Sequence, residues 1–161
     1  MAGPEYHFVT DWRVKATAEE VAEVLGDAEG LARWWPSVYL KVKELQPGDP
    51  VTHTGKVVDL HTKGWLPYTL RWRFTVTESK GARGFKLAAE GDFVGTGEWT
   101  FTPDRDHLNI RYDWRIRADK PLLRYGTFIF RPFFSANHRW AMAQGEESLK
   151  RELERRHMAR P

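Results

Sequence analysis

PYTLRWRFTVTE, residues 67 to 78, decides the fold. Successive side chains on a strand point to opposite faces. Tyr68, Leu70, Trp72, Phe74 and Val76 therefore share one side, and Thr69, Arg71, Arg73 and Thr75 share the other. HLNIRYDWRIRA, residues 107 to 118, repeats the arrangement with Leu108, Ile110, Tyr112, Trp114 and Ile116 set against Asn109, Arg111, Asp113, Arg115 and Arg117. One face is dry and the other wet, which is the pattern of an antiparallel sheet that must cover its dry face with another layer.

The same period of two extends outward from these strands. It predicts further strands at VYLKVKEL (38 to 45), VTHTGKVVDLHT (51 to 62), GFKLAAEG (84 to 91) and GTGEWTFT (95 to 102). PGDP, TKG, SKGARG, GDFVG and PDRD separate them as turns, and connections this short imply antiparallel neighbours. Upstream, YHFVTDWRVKA alternates Phe8, Thr10, Trp12, Val14 and Ala16 with His7, Val9, Asp11, Arg13 and Lys15 and reads as an opening strand. Thr17 then reads as a helix N-cap, with a capping box closed by Glu20 and an end near Gly26. A second short helix, AEGLARWW, is stopped by Pro36. The cover for the sheet is the segment from 121 to about 156, where Pro132 is expected to divide a short apolar helix, LLRYGTFIF, from a long one. The expected architecture is α+β: a seven-stranded antiparallel sheet wrapped around a long C-terminal helix, with two short helices between strands 1 and 2.

Composition bounds what such a domain does. At 161 residues the chain suits a single domain, residues 1 to 161, with no room for a second complete core. Its 8 Trp, 9 Phe and 5 Tyr are many for this length and supply flat, bulky side chains for a thick core or a pocket wall. A net charge of +3 is spread along the chain and gives no basic arm for nucleic acid. With no Cys, disulfides and thiolate chemistry are excluded. The opening MAGPEYHFVTDW lacks the pattern of a signal peptide, and no apolar stretch approaches membrane-spanning length. A cytoplasmic protein without stable membrane insertion, monomer or homodimer, is the expectation.

The long helix carries an unusual inner face. In FFSANHRWAMAQGEESL, residues 133 to 149, a period of about 100° per residue sets Phe134, Asn137, His138, Ala141, Gly145 and Ser148 opposite Arg139, Glu146 and Lys150. Amide, imidazole, hydroxyl and bare backbone stand where most helices place leucine. Two explanations compete. Asn137 and His138 either fix the polar end of an otherwise apolar guest, or tie the helix to neighbouring backbone. Imidazole titrates near neutral pH, which makes His138 the candidate general base if the cavity is catalytic.

The element order and several motifs resemble the START-like superfamily (SRPBCC), the helix-grip fold of Bet v 1-type allergens, lipid-transfer domains and polyketide cyclases. Within it the chain is similar to the polyketide cyclase/dehydrase and lipid-transport branch. The resemblance rests on TDWRVKATAEEVAEVL (10 to 25), GLARWWPSV (30 to 38), GWLPYTLRWRFTVTE (64 to 78), GTGEWTF (95 to 101) and ANHRWAMAQGEESL (136 to 149). It implies an internal cavity for a small hydrophobic or amphipathic ligand, such as a lipid, an isoprenoid or a polyketide-like compound. It implies no catalytic set, because carriers, sensors and enzymes share the scaffold. In helix-grip proteins the end of the second helix borders the cavity entrance, which makes Arg33 and Trp35 entrance candidates. Both also have an ordinary reading, as a solvated cation and a core anchor.

The expected ligand-binding set is Tyr68, Leu70, Trp72, Trp99, Tyr112, Trp114, Asn137, His138 and Ala141, with Phe101 completing the aromatic ladder. No metal site is expected. His53, Asp59 and His61 share strand parity, but eight residues of extended chain, about 26 Å, separate the two imidazoles. No cofactor is expected, and no hydrolase elbow, P-loop or zinc-protease motif is present. Lys41, Lys43, Arg71, Arg73, Arg111, Arg115 and Arg117 collect on the outer face. Interspersed acids and the inward-pointing aromatics favour a solvated sheet over nucleic-acid binding. Three functions are carried forward: a carrier or sensor of a small hydrophobic ligand, a cyclase or dehydratase using the same cavity, and a protein-interaction module like the chaperone activators of this fold.

Overall fold

The computed structural model describes residues 5–64, 69–118 and 127–159. Seven strands form one antiparallel sheet: β1 (Glu5–Val14), β2 (Tyr39–Gln46), β3 (Val57–Lys63), β4 (Thr69–Ser79), β5 (Gly84–Gly91), β6 (Phe93–Asp104) and β7 (His107–Ala118). Their spatial order is β1-β7-β6-β5-β4-β3-β2, so every connection from β2 to β7 joins immediate neighbours and β1 closes on β7. Between β1 and β2 lie α1 (Ala18–Gly26) and, after a 3-10 turn, α2 (Leu31–Trp34). The long α3 (Thr127–Ala159) crosses the inner face. This is the helix-grip architecture expected from the alternating strands.

Local chemistry accounts for the elements. The Thr17 hydroxyl accepts from Glu20 N at 3.1 Å and starts α1, whose buried side is Ala18, Val21, Val24 and Leu25. The dry faces of β4 and β7 are buried as the alternation requires: Leu70, Phe74 and Val76 on one, Leu108, Ile110, Tyr112, Trp114 and Ile116 on the other. Register turns these faces into packed pairs. Trp99 on β6 stands opposite Tyr112 on β7, and their rings stack with centroids 4.1 Å apart. Fully buried Val14, Val21, Val24, Val58, Leu108, Ile110 and Leu149 join β1, α1, β3, β7 and α3 in one core. Each such side chain contributes about 1.5–3 kcal/mol of transfer free energy.

Three boundaries differ from the sequence reading. Residues 51–56 are a loop rather than the start of a strand. The Asp49 carboxylate accepts from Val51 N and Thr52 N at 2.8 and 2.9 Å, and this side-chain turn competes with the ladder. Gly48 precedes it at φ 71°, with Lys56 N where a β-carbon would stand. The break between β5 and β6 is Asp92 alone, so Phe93 belongs to β6 and not to a turn. Finally, α3 runs through Pro132 without dividing. Pro132 is the sixth residue of the helix, so the one N–H it lacks costs a single bond close to the helix start.

Candidate functional site

The strands and α3 leave a void at the N-terminal half of α3. Its volume is about 80 Å³, and its wall includes Leu70 and Trp72 of β4, Tyr112 and Trp114 of β7, and Asn137, His138 and Ala141 of α3. These are seven of the nine ligand-binding candidates. Trp99 lines a second, smaller void of about 50 Å³ directly below, shared with Trp35, Tyr39, Trp72, Tyr112 and Met142. Tyr68 lies outside the described residues. Phe101 is buried further down the sheet and lines neither void.

Sequence reasoning missed Val38, Tyr39, Thr62, Gly64, Phe93, Phe134 and Met142 as parts of the same wall. Phe134 and Met142 were legible from the helical period that places Asn137 and His138. Thr62 shares parity with the inward Leu60, and its hydroxyl accepts from Trp72 Nε1 at 3.1 Å, which holds the indole across the void. Phe93 was hidden because GDFVG has turn composition.

His138 carries one of the unsatisfied polar atoms in this wall. Its ring stacks on Phe8 with centroids 4.1 Å apart, and its Nε2 is buried with no hydrogen-bond partner among the described residues. Burial, together with the neighbouring Arg139 charge, pushes the imidazole down to about 4. It is therefore neutral at pH 7, and whichever ring nitrogen is unprotonated can accept while the other donates. Trp35 Nε1, on the same wall, is likewise buried without a partner. A buried donor or acceptor left in this state costs about 1–3 kcal/mol.

Asn137 answers the other half of the pair. Its amide fills the space that a side chain at Gly64 would occupy, so α3 meets the β3–β4 connection through backbone. Burial pushes the Tyr39 phenol up and pushes Tyr112 well above the ordinary range, where the neighbouring Tyr39 adds to the effect. Both are neutral hydroxyls at physiological pH.

The bare position on α3 is also explained. A β-carbon at Gly145 would fall inside the Trp35 indole, so the missing side chain on the helix is supplied by the residue that caps α2. Trp35 is 2% exposed and packs edge-on against Trp12 and Tyr39. Arg33 points elsewhere: its guanidinium makes a two-pronged pair with Glu152 of α3 at 3.0 and 2.8 Å. Arg155 and Arg156 bind the same carboxylate, each at 2.9 Å.

The remaining candidates are dispersed. His53 lies in the 49–56 loop, Asp59 pairs with Arg73 at 2.7 Å, and His61 faces outward between Lys41 and Arg71. Among the described residues, no three His, Asp or Glu side chains converge on a common point. No helix among them is long and apolar enough to cross a membrane.

Comparison with known proteins bears on the whole chain. The model of a family described as polyketide cyclase / dehydrase and lipid transport matches residues 6–154. No curated protein is matched by the sequence. Among solved structures, the Zhui aromatase/cyclase from Streptomyces sp. R1128 superposes with a TM-score of 0.73 at 23% identity, covering 97% of this chain and 98% of that one. A START superfamily protein from Mycobacterium smegmatis gives 0.69 at 14% identity, with 92% and 97% covered. A norcoclaurine synthase point mutant from Thalictrum flavum, in complex with a transition-state analogue, gives 0.61 at 17% identity, with 96% and 99% covered. At these identities the likeness is one of fold.

Proposed function

We propose, from the premise that this chain belongs to the polyketide cyclase / dehydrase and lipid transport family, that it binds a small apolar or amphipathic molecule between sheet and α3, as a carrier or sensor. The observation that carries this reading is the neutral, half-buried imidazole of His138, whose buried Nε2 has no partner among the described residues and which lines an aromatic void. Apolar walls with one or two convergent polar groups are what an amphipathic guest needs for affinity and orientation. Trp35 Nε1 and the Tyr112 hydroxyl are further polar atoms on the same wall.

Two physical arguments favour carriage over catalysis. A general base works best with a pKa near the operating pH, whereas this imidazole is held at about 4 and is a weak base at neutral pH. The void of about 80 Å³ is also below the roughly 300–1,000 Å³ of small-molecule pockets. Uptake therefore needs aromatic side chains to move apart, and Trp72 and Tyr39 are half-buried rings of that wall. A site that opens around its guest suits reversible loading better than a preorganised reaction centre.

Native mass spectrometry after gentle purification tests the proposal, followed by uptake from a panel of fatty acids, isoprenoid alcohols and aromatic polyketide-like compounds. The expected results are a retained or acquired apolar passenger and at least tenfold weaker uptake in His138→Ala. Absence of any passenger together with no uptake across the panel overturns it.

A further inference from the structure

We infer that the binding space is long rather than round, that its far end is the groove beneath α1, and that its guest is an unbranched apolar chain with one polar end. The inference rests on the ligand-binding reading above and narrows it. Three spaces lie in series along the inner face of the sheet. The void beside His138 and the smaller one below it share Trp35, Tyr39, Trp72, Tyr112 and Met142 as a common wall. The smaller void in turn shares Leu25, Phe74 and Phe85 with a groove of about 280 Å³ between the C-terminal end of α1, the 49–56 loop and the β4–β5 turn. Each junction is a side chain that faces both ways, so displacing rings rather than backbone joins the spaces.

The dimensions select the guest. At about 80 and 50 Å³, neither upper void matches the roughly 150 Å³ cavity that accepts a benzene ring. A fused-ring compound would have to open both at once, whereas a methylene chain occupies them one after the other. The unpartnered His138 Nε2 is at one end. Leu25, Phe74, Val76 and Phe85 line the other, where Lys56 is already bound to Gly26 O at 2.8 Å and Glu44 at 3.3 Å. Glu23, Thr52 and His53 are exposed at the rim of the groove.

Gly26 is an independent sign of reserved space. It sits in the last turn of α1 with no left-handed backbone to require glycine, lines the groove, and would place a β-carbon against nothing within 4 Å. Its missing side chain keeps the groove open.

Straight-chain acids from hexanoic to hexadecanoic, titrated against the full chain and followed by intrinsic tryptophan fluorescence, test the inference. In the unmodified protein affinity should rise about fourfold per methylene until the chain reaches the groove's outer end. In Gly26→Phe the short acids should bind unchanged while hexadecanoic acid binds at least tenfold more weakly. Ala22→Leu, which narrows the same groove from the middle of α1, should show the same truncation and covers the case in which the first variant folds poorly. Identical length profiles in all three proteins, or an equal loss at every length, overturn the inference and leave ligand binding intact. Failure of every acid to bind the unmodified protein overturns both.

Discussion

His138 is a histidine whose neutral form the fold enforces. Its imidazole is pushed down to about 4 from an ordinary 6.5, first by burial and then by the adjacent Arg139 charge. The sign of the pH dependence follows. Between about pH 6.5 and pH 4 the unfolded chain takes up a proton that the folded chain refuses, so stability falls as pH drops through that window, by up to about 3 kcal/mol. Above 6.5 the residue contributes no pH dependence. His138→Gln keeps a polar side chain but removes the titration, so its urea midpoint should change little between pH 7 and pH 5 relative to the parent's decline. Parallel pH profiles for the two proteins would mean that the imidazole is not buried as described. The same substitution separates roles: a guest anchored on Nε2 loses affinity in His138→Gln even at pH 7.5, where the titration plays no part.

At the scale of elements, the residue capping α2 is a knob that fills a hole in α3. Glycine inside an exposed helix costs about 1 kcal/mol relative to alanine, so Gly145→Ala would ordinarily stabilise the protein. Here the added carbon collides with the Trp35 indole, which Trp12 and Tyr39 hold from two sides. Gly145→Ala should instead destabilise by about 1–3 kcal/mol, the range for overpacking a filled core, and Trp35→Phe should recover part of that loss in the double variant. Denaturation midpoints of the three variants check it, and stabilisation by Gly145→Ala alone would mean that the indole is elsewhere. The same pair shows how far sequence reasoning reaches. The period of α3 identified the inner position of Gly145 but not its occupant, because Trp35 arrives from the end of a helix more than a hundred residues earlier. The strands were legible wherever alternation ran unbroken, as on β1, β4 and β7, whose one dry face dictated the grip. Residues 51–56 run directly into the alternating β3, yet the Asp49 carboxylate ties the Val51 and Thr52 amides into a turn, a side-chain choice that strand periodicity does not encode. The candidate wall was legible in its aromatics. Its volume was not, since Trp99, Tyr112, Trp114 and Trp72 stack on one another and fill much of the space their number suggested.

Across the whole molecule, one carboxylate joins the two ends of the helical layer. Glu152 of α3 has its side chain 2% exposed and binds Arg33 of α2 together with Arg155 and Arg156 of its own helix. Hydrogen bonds from Arg155 and Arg33 hold its carboxyl well below the ordinary 4.5. A depressed carboxylate contributes stability above its unfolded pKa and loses it as pH falls below about 4.5. This window lies under the one set by His138, so the two groups act in sequence as the medium is acidified. Glu152→Gln keeps the shape but removes the counter-charge that three guanidinium groups share, of which Arg156 keeps a second carboxylate, Glu23 at 3.5 Å. Because those arginines reach solvent, the loss should be about 2 kcal/mol, short of the roughly 3–5 kcal/mol for a fully buried pair. Acid unfolding then provides the discriminating measurement. The parent should lose stability in two stages, the upper one abolished by His138→Gln and the lower one by Glu152→Gln. Because Arg33 lies on α2 and Trp35 caps the C-terminal end of that helix, loosening the clamp also frees the knob that seals Gly145. Ligand uptake by Glu152→Gln should therefore become faster in stopped-flow fluorescence. An unchanged uptake rate, in a variant that has lost the lower acid transition, would show that α2 does not move when the cavity opens.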